Sequence, residues 1–214
     1  MKRTPSISAI VAMLAALGAI GLAAFVAWVR LADSGTVATS GSVTTLSVAS
    51  SVQIGGPYEL VDQNGRTVRS SDFQGKFQLI YFGYAYCPDV CPTELAAMAE
   101  AVDALGTEAD RVQPLFITVD PERDTPDFLA GYVPHFHPRL IGLTGTPEQI
   151  AAVAKAFRVY YAKVESDRQT DYLMDHTSFI YLMGPDGNFL TMFRYGMQPA
   201  AMADAIAAFV DKAG

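Results

Sequence analysis

Phe77-Gln-Leu-Ile-Tyr-Phe-Gly83-Tyr-Ala-Tyr-Cys87-Pro-Asp-Val-Cys91-Pro-Thr-Glu-Leu95 is the stretch on which the reading of this chain turns. The apolar and aromatic run at its start reads as a strand, and two cysteines follow directly. Pro92 sits at a first-turn position with Glu94 beside it. Leu95, Met98, Val102 and Leu105 then recur at helical spacing, which predicts a helix over 92–105. The cysteines therefore lie between the end of a strand and the start of a helix, where ligands gather in layered α/β sheets.

The pattern continues outward on both sides. Tyr58-Glu-Leu-Val61 and Thr67-Val-Arg69 flank Asp62-Gln-Asn-Gly65, which reads as a hairpin. A second apolar strand is expected over 112–119, helices over 127–133 and 147–157, strands over 178–183 and 189–195 around the Gly184-Pro-Asp-Gly187 turn, and a closing helix over 200–212. Strands alternating with helices, ending in a hairpin, predict one α/β domain over 55–214. The sequence contains no internal repeat.

The N-terminal part has a different texture. Lys2 and Arg3 precede an uncharged, largely apolar run over 7–29, closed by Arg30 and with Trp28 at its end. That length spans a bilayer as a helix, and the bulky Phe25, Val26 and Trp28 disfavour signal cleavage. Residues 1–30 are thus expected to be a membrane anchor with the main domain outside. Residues 31–54, rich in Ser, Thr, Gly and Ala, are expected to be a flexible tether. The simplest location is the inner, cytoplasmic membrane, crossed once, with the folded domain in the periplasm.

The 214 residues are 50% hydrophobic and 17% charged, which excludes a disordered chain. The formal charge of −7 argues against a nucleic-acid partner, which requires a basic face, and suits a cation or a basic protein surface.

Cys87 and Cys91 are the only cysteines, too few for a disulfide scaffold and close enough for a redox couple or a metal. Thiols at a helix N-terminus are acidified, and thiolate is the form that binds metal and reacts. Soft thiolates select Cu(I), zinc or iron–sulfur. Two thiolates are too few for structural zinc, whereas one added imidazole gives a three-ligand set that suits copper and lets it leave. The chain offers His135, His137 and His176. His176 follows Asp175, which could orient the ring or simply make a turn, at the mouth of an expected strand. His135 and His137 flank Phe136 in a proline-bounded loop. The scattered methionines, Met98, Met183 and Met192 among them, read as core or strand residues and form no thioether copper box.

Three stretches together resemble the Sco/SenC copper-delivery proteins: Phe82-Gly83 with Cys87-Pro-Asp-Val-Cys91-Pro92, Thr118-Val-Asp-Pro-Glu-Arg-Asp-Thr-Pro126, and Asp175-His-Thr-Ser178 followed by Tyr181-Leu and Gly184-Pro-Asp-Gly187. Gly142-Leu-Thr-Gly145 also fits, and the likeness runs over about 55–209. It implies a thioredoxin-like fold with an N-terminal transmembrane helix. It implies that Cys87, Cys91 and His176 bind one copper ion, Cu(I) or Cu(II), for delivery to the CuA subunit of cytochrome c oxidase. Family members often carry Thr-His just before the first ligand cysteine, where this chain has Ala85-Tyr86. In an oxidising compartment the metal-free cysteines would pair, so loading would call on a periplasmic thiol reductant.

The same site supports a rival, a thiol–disulfide reductase in which Cys87 and Cys91 act on oxidase subunit cysteines without the imidazole. Val90-Cys-Pro-Thr-Glu94 also resembles a peroxidatic segment of the peroxiredoxins, though Pro88 stands where those enzymes place Thr. A passive copper store or sensor would use the same three ligands.

Overall fold

The computed structural model describes residues 53–165 and 172–213. The expected membrane anchor, and all of the tether up to residue 52, lie outside them. Among the described residues no helix is long and apolar enough to cross a membrane.

The architecture is mixed α/β. Nine strands are described: β1 (Glu59–Asp62), β2 (Thr67–Arg69), β3 (Phe77–Gly83), β4 (Val112–Thr118), β5 (Ile141–Thr144), β6 (Tyr161–Val164), β7 (Leu173–His176), β8 (Phe179–Met183) and β9 (Phe189–Arg194). The helices are α1 (Val90–Ala104), α2 (Pro126–Tyr132), α3 (Pro147–Ala156) and α4 (Pro199–Lys212). Seven strands form one sheet in the order β2-β1-β5-β4-β3-β8-β9, and β6 pairs with β7 in a separate ribbon.

The sheet is organised around β3. Every one of its residues is buried, as expected of a strand covered on both faces. β4 runs parallel to it with Gly83 opposite Thr118, and β8 runs antiparallel with Tyr81 opposite Ile180. The parallel pair brings the carboxyl ends of β3 and β4 to one edge, and the antiparallel neighbour brings the beginning of β8 to the same edge. Whatever follows β3, follows β4 or precedes β8 must therefore meet there. Cys87 and Cys91 follow β3, Asp120 to Asp124 follow β4, and His176 precedes β8. This topology turns three distant stretches of sequence into one site.

Below that edge Leu79, Ile80, Phe82, Leu115, Phe116, Leu143 and Ile180 are fully enclosed, and α1 and α4 pack on each other. Burial of this kind stabilises by roughly 1.5–3 kcal/mol for each large apolar side chain, which makes the floor of the site rigid. Local signals fix the helix starts. Thr125 caps α2, and Thr146 with Gln149 forms a reciprocal capping box on α3, each followed by Pro at the first helical position.

The elements expected from sequence are present with small shifts at their ends. Helix α1 begins at Val90 rather than Pro92, so Cys91 is inside it and Cys87 is not. Two features were not legible: the short strand β5, and the β6–β7 ribbon, whose half-exposed residues give no clear alternation. His176 is accordingly the last residue of β7, facing Tyr161 of β6, and not the mouth of β8.

Candidate metal centre

The segment leaving β3 turns at once. The backbone N–H of Cys87 donates to the Tyr84 carbonyl at 3.2 Å, and the chain then enters α1. The first N–H groups of a helix have no intrahelical partner. Here the N–H of Cys91 donates to the Cys87 Sγ at 3.4 Å, so this sulfur serves as a cap. Cys91 is fully buried, whereas Cys87 is half-buried, and both cysteines are unbridged. Gly83 leaves room for the inner sulfur: a Cβ there would lie 3.1 Å from the Cys91 Sγ and 2.9 Å from the Tyr81 ring.

His176 completes the group from the other side. Its Nε2 lies 3.3 Å from the Cys91 Sγ. Its Nδ1 lies 3.0 Å from the Thr177 carbonyl, which can only accept, so the ring proton is on Nδ1 and the Nε2 lone pair faces the sulfur. The edges of Tyr81 and Tyr84 hold the ring, with centroids 6.1 and 5.9 Å away. A backbone carbonyl on the far nitrogen is one of the partners, with carboxylate and water, that fix the tautomer of a metal-binding imidazole. The orienting role expected of Asp175 falls to Thr177: the Asp175 side chain is exposed, on the opposite face of β7, and no hydrogen bond joins it to the ring.

The two thiols are unequal. Cys87 is lowered to about 5, first by the neighbouring Cys91 thiol and then, against the effect of burial, by the backbone N–H groups of Cys91 and Asp89. Cys91 is pushed up by its bond to Cys87 and by burial. The outer, half-exposed sulfur is thus the readier of the two to ionise, and burial makes the inner one the more reluctant. Among the described residues, no three His, Cys, Asp or Glu side chains stand close enough to form a ready-made cage. What is preassembled is the Cys91–His176 contact, with the Cys87 sulfur held against the Cys91 N–H.

The other two histidines are elsewhere. His137 is buried, accepts the Arg139 N–H at Nδ1 and meets Asp103 through Nε2 at 3.2 Å, while His135 is exposed. They form no pair, and His137 holds the loop after α2 against α1. Beside Cys87, the exposed ring of Tyr86 stacks on that of Phe128 at 4.9 Å. Sequence reasoning also missed Asp124, which is wholly buried. One of its oxygens accepts from Thr118 Oγ1 at 2.6 Å and from the Ala85 N–H at 2.9 Å, so it grips the turn that carries Cys87. Its place in the Thr118–Pro126 motif was the available signal.

Fold and site together define a thioredoxin-like domain bearing two thiols and an imidazole at the carboxyl end of its central strands. The chain belongs to the SCO1/SenC family, whose model matches residues 47–211. It is 47% identical over 157 residues to the mouse mitochondrial SCO1 homologue, covering 72% of this chain and 55% of that one. The chain thus spans about half the length of that relative. The structure of Bradyrhizobium japonicum ScoI with copper bound is 47% identical, with a TM-score of 0.68, covering 73% of this chain and 99% of the other. BsSco, described as a cytochrome c oxidase assembly protein with a disulfide switch, is 27% identical with a TM-score of 0.58, covering 75% and 93%.

Proposed function

We propose that this chain binds one copper ion through Cys87, Cys91 and His176 and delivers it, as cargo, to the CuA centre of cytochrome c oxidase during assembly. The observation that carries this reading is the His176 Nε2 facing the Cys91 sulfur with its far nitrogen tied to a carbonyl. An imidazole so fixed has no required part in exchange between two cysteines and a disulfide. It is what a third copper ligand needs. The copper-bound relative and the assembly role of another family member point the same way.

The residues suit the cargo. Two sulfurs and one imidazole satisfy Cu(I), and the nitrogen extends the set toward Cu(II). Half-exposed Cys87 offers an entry and an exit, while buried Cys91 shields the ion from water. Residues 1–30 as an inner-membrane anchor and 31–54 as a tether would hold the domain at the periplasmic face, where a thiol reductant must return the cysteines to the loading form. The purified, reduced protein is expected to take up about one equivalent of Cu(I), with Cu–S scattering in X-ray absorption. Uptake of zinc alone, or of no metal after full reduction, contradicts the proposal.

A second reading draws support from the unequal thiols. A half-exposed Cys87 that ionises more readily than the buried Cys91 beside it is the pairing that thiol–disulfide exchange uses. Reduction of oxidase subunit cysteines by this pair is the alternative.

A further inference from the structure

His176 rides on a ribbon that shares no backbone ladder with the main sheet. The short link to β8 brings it to the edge of the site, and the final 3.3 Å approach to Cys91 depends as well on what ties the ribbon down.

Met174 of β7 is buried in the main core, and a second tie comes from a side chain outside the ligand set. Arg123 lies in the loop between β4 and α2, and its guanidinium stacks over the Tyr172 ring at 3.8 Å. Tyr172 immediately precedes β7. Arg123 Nη1 donates to the Tyr172 carbonyl at 2.9 Å, and its Nε donates to Asp120. The other Asp120 oxygen accepts from the Tyr172 hydroxyl at 2.8 Å, which closes a ring of contacts. The same guanidinium lies 4.9 Å from the Tyr86 ring and 5.8 Å from that of Tyr84, and Tyr84 is one of the two rings bracketing His176. Arg123 thus touches both the segment that leads into the histidine ribbon and the turn that brings Cys87. Arg123 is 15% exposed and Asp120 1% exposed, so neither water nor salt screens this pair as it would a surface pair. The one other ion pair to the ribbon, Lys163 with Glu122 at 2.6 Å, is exposed and contributes little.

We propose that Arg123 is a positioning residue that sets the distance between His176 and the two cysteines by clamping Tyr172 to the Tyr84–Tyr86 turn. The inference rests on His176 being a ligand. Only arginine supplies the flat face for two aromatic neighbours together with separate donors for Asp120 and the Tyr172 carbonyl. Lysine would keep the charge beside Asp120 and lose the stack and the fork.

The test uses the full chain with Arg123→Lys and Arg123→Ala, and copper itself as the probe. In the metal-free protein, amide exchange over 161–164 and 173–176 should rise about ten-fold or more in Arg123→Ala, while β3 and α1 keep their protection. Cu(II) affinity should fall by about 10- to 100-fold, with an altered optical and paramagnetic signature, and Arg123→Lys should recover part of both. The Cys87–Cys91 midpoint potential should stay in place, because neither sulfur touches Arg123. Wild-type Cu(II) affinity and spectrum in both variants would overturn the proposal. A uniform rise in exchange across the whole sheet would also overturn it, by making Arg123 a general stability residue. The ribbon's exchange is read without metal. Failure of the wild type to bind copper would thus remove the ligand reading while the exchange data still decide the clamp.

Discussion

The two sides of the site are built in opposite ways. The cysteine side grows out of the most enclosed element of the molecule: β3 is buried throughout, and the turn after it is gripped by buried Asp124 and capped by a sulfur. The histidine side hangs on a half-exposed ribbon whose two strands, among the described residues, form a ladder with each other and not with the main sheet. The difference suggests a division of labour. The rigid side fixes the thiol pair and its reactivity, and on the copper reading proposed above the looser side adds the nitrogen that turns a dithiol into a copper site. Perturbing each side separately should therefore give different phenotypes.

The largest structural effect is expected from Gly83→Ala. The new methyl meets the Tyr81 and Phe116 rings and the Cys91 sulfur, at 2.9, 3.2 and 3.1 Å. Overpacking there should cost about 3 kcal/mol in chemical denaturation and displace the inner sulfur, weakening copper uptake. Protection of the ribbon amides should be unchanged. Loss of ribbon protection instead would show that the two sides are not separable.

A smaller, pH-dependent effect is expected at Asp124, raised to about 6, chiefly because burial disfavours its charge. A carboxyl raised in the folded state binds its proton more tightly there than in the unfolded chain. Its contribution to stability is therefore fully present below the unfolded value near 4 and is lost as pH climbs through about 6. The whole change is on the order of 2–3 kcal/mol. Asp124→Asn keeps an oxygen for Thr118 and Ala85 and removes the charge. The stability difference between variant and wild type should thus shift in the variant's favour between pH 4 and pH 7. A difference that stays flat across that range would show that Asp124 is ionised throughout.

The smallest effect belongs to the buried His137. His137→Ala loses the contacts to Asp103 and the Arg139 N–H, so about 1 kcal/mol of stability should go, with copper uptake intact. Copper loss in this variant would place a ligand far from the ribbon and break the comparison.

The same division explains what was legible in the sequence. The cysteine side is local: a strand, two thiols and a helix follow one another, so periodicity and Pro92 nearly sufficed. Helix α1 starts earlier than Pro92 implied, with Asp89 at its N-cap and the Cys91 N–H met by the Cys87 sulfur, a role that residue preference does not assign to cysteine. The histidine side is non-local. Its nearness to Cys91 follows from β8 lying antiparallel beside β3, and the ribbon's weak alternation hid β6 and β7. The resemblance to a known family, and not periodicity, singled out His176 among three histidines. It did not reveal that Thr177, rather than Asp175, meets the ring, because a backbone carbonyl leaves no mark in side-chain identity.

The central claim is that the imidazole makes this a copper-delivery site and not merely a dithiol. It is tested most directly by cytochrome c oxidase activity in cells grown at low copper, comparing His176→Ala with Cys87→Ser at equal protein levels. The account predicts that both variants fail to assemble active oxidase. Active oxidase in His176→Ala cells beside its absence in Cys87→Ser cells would contradict the account and assign the site to thiol–disulfide exchange.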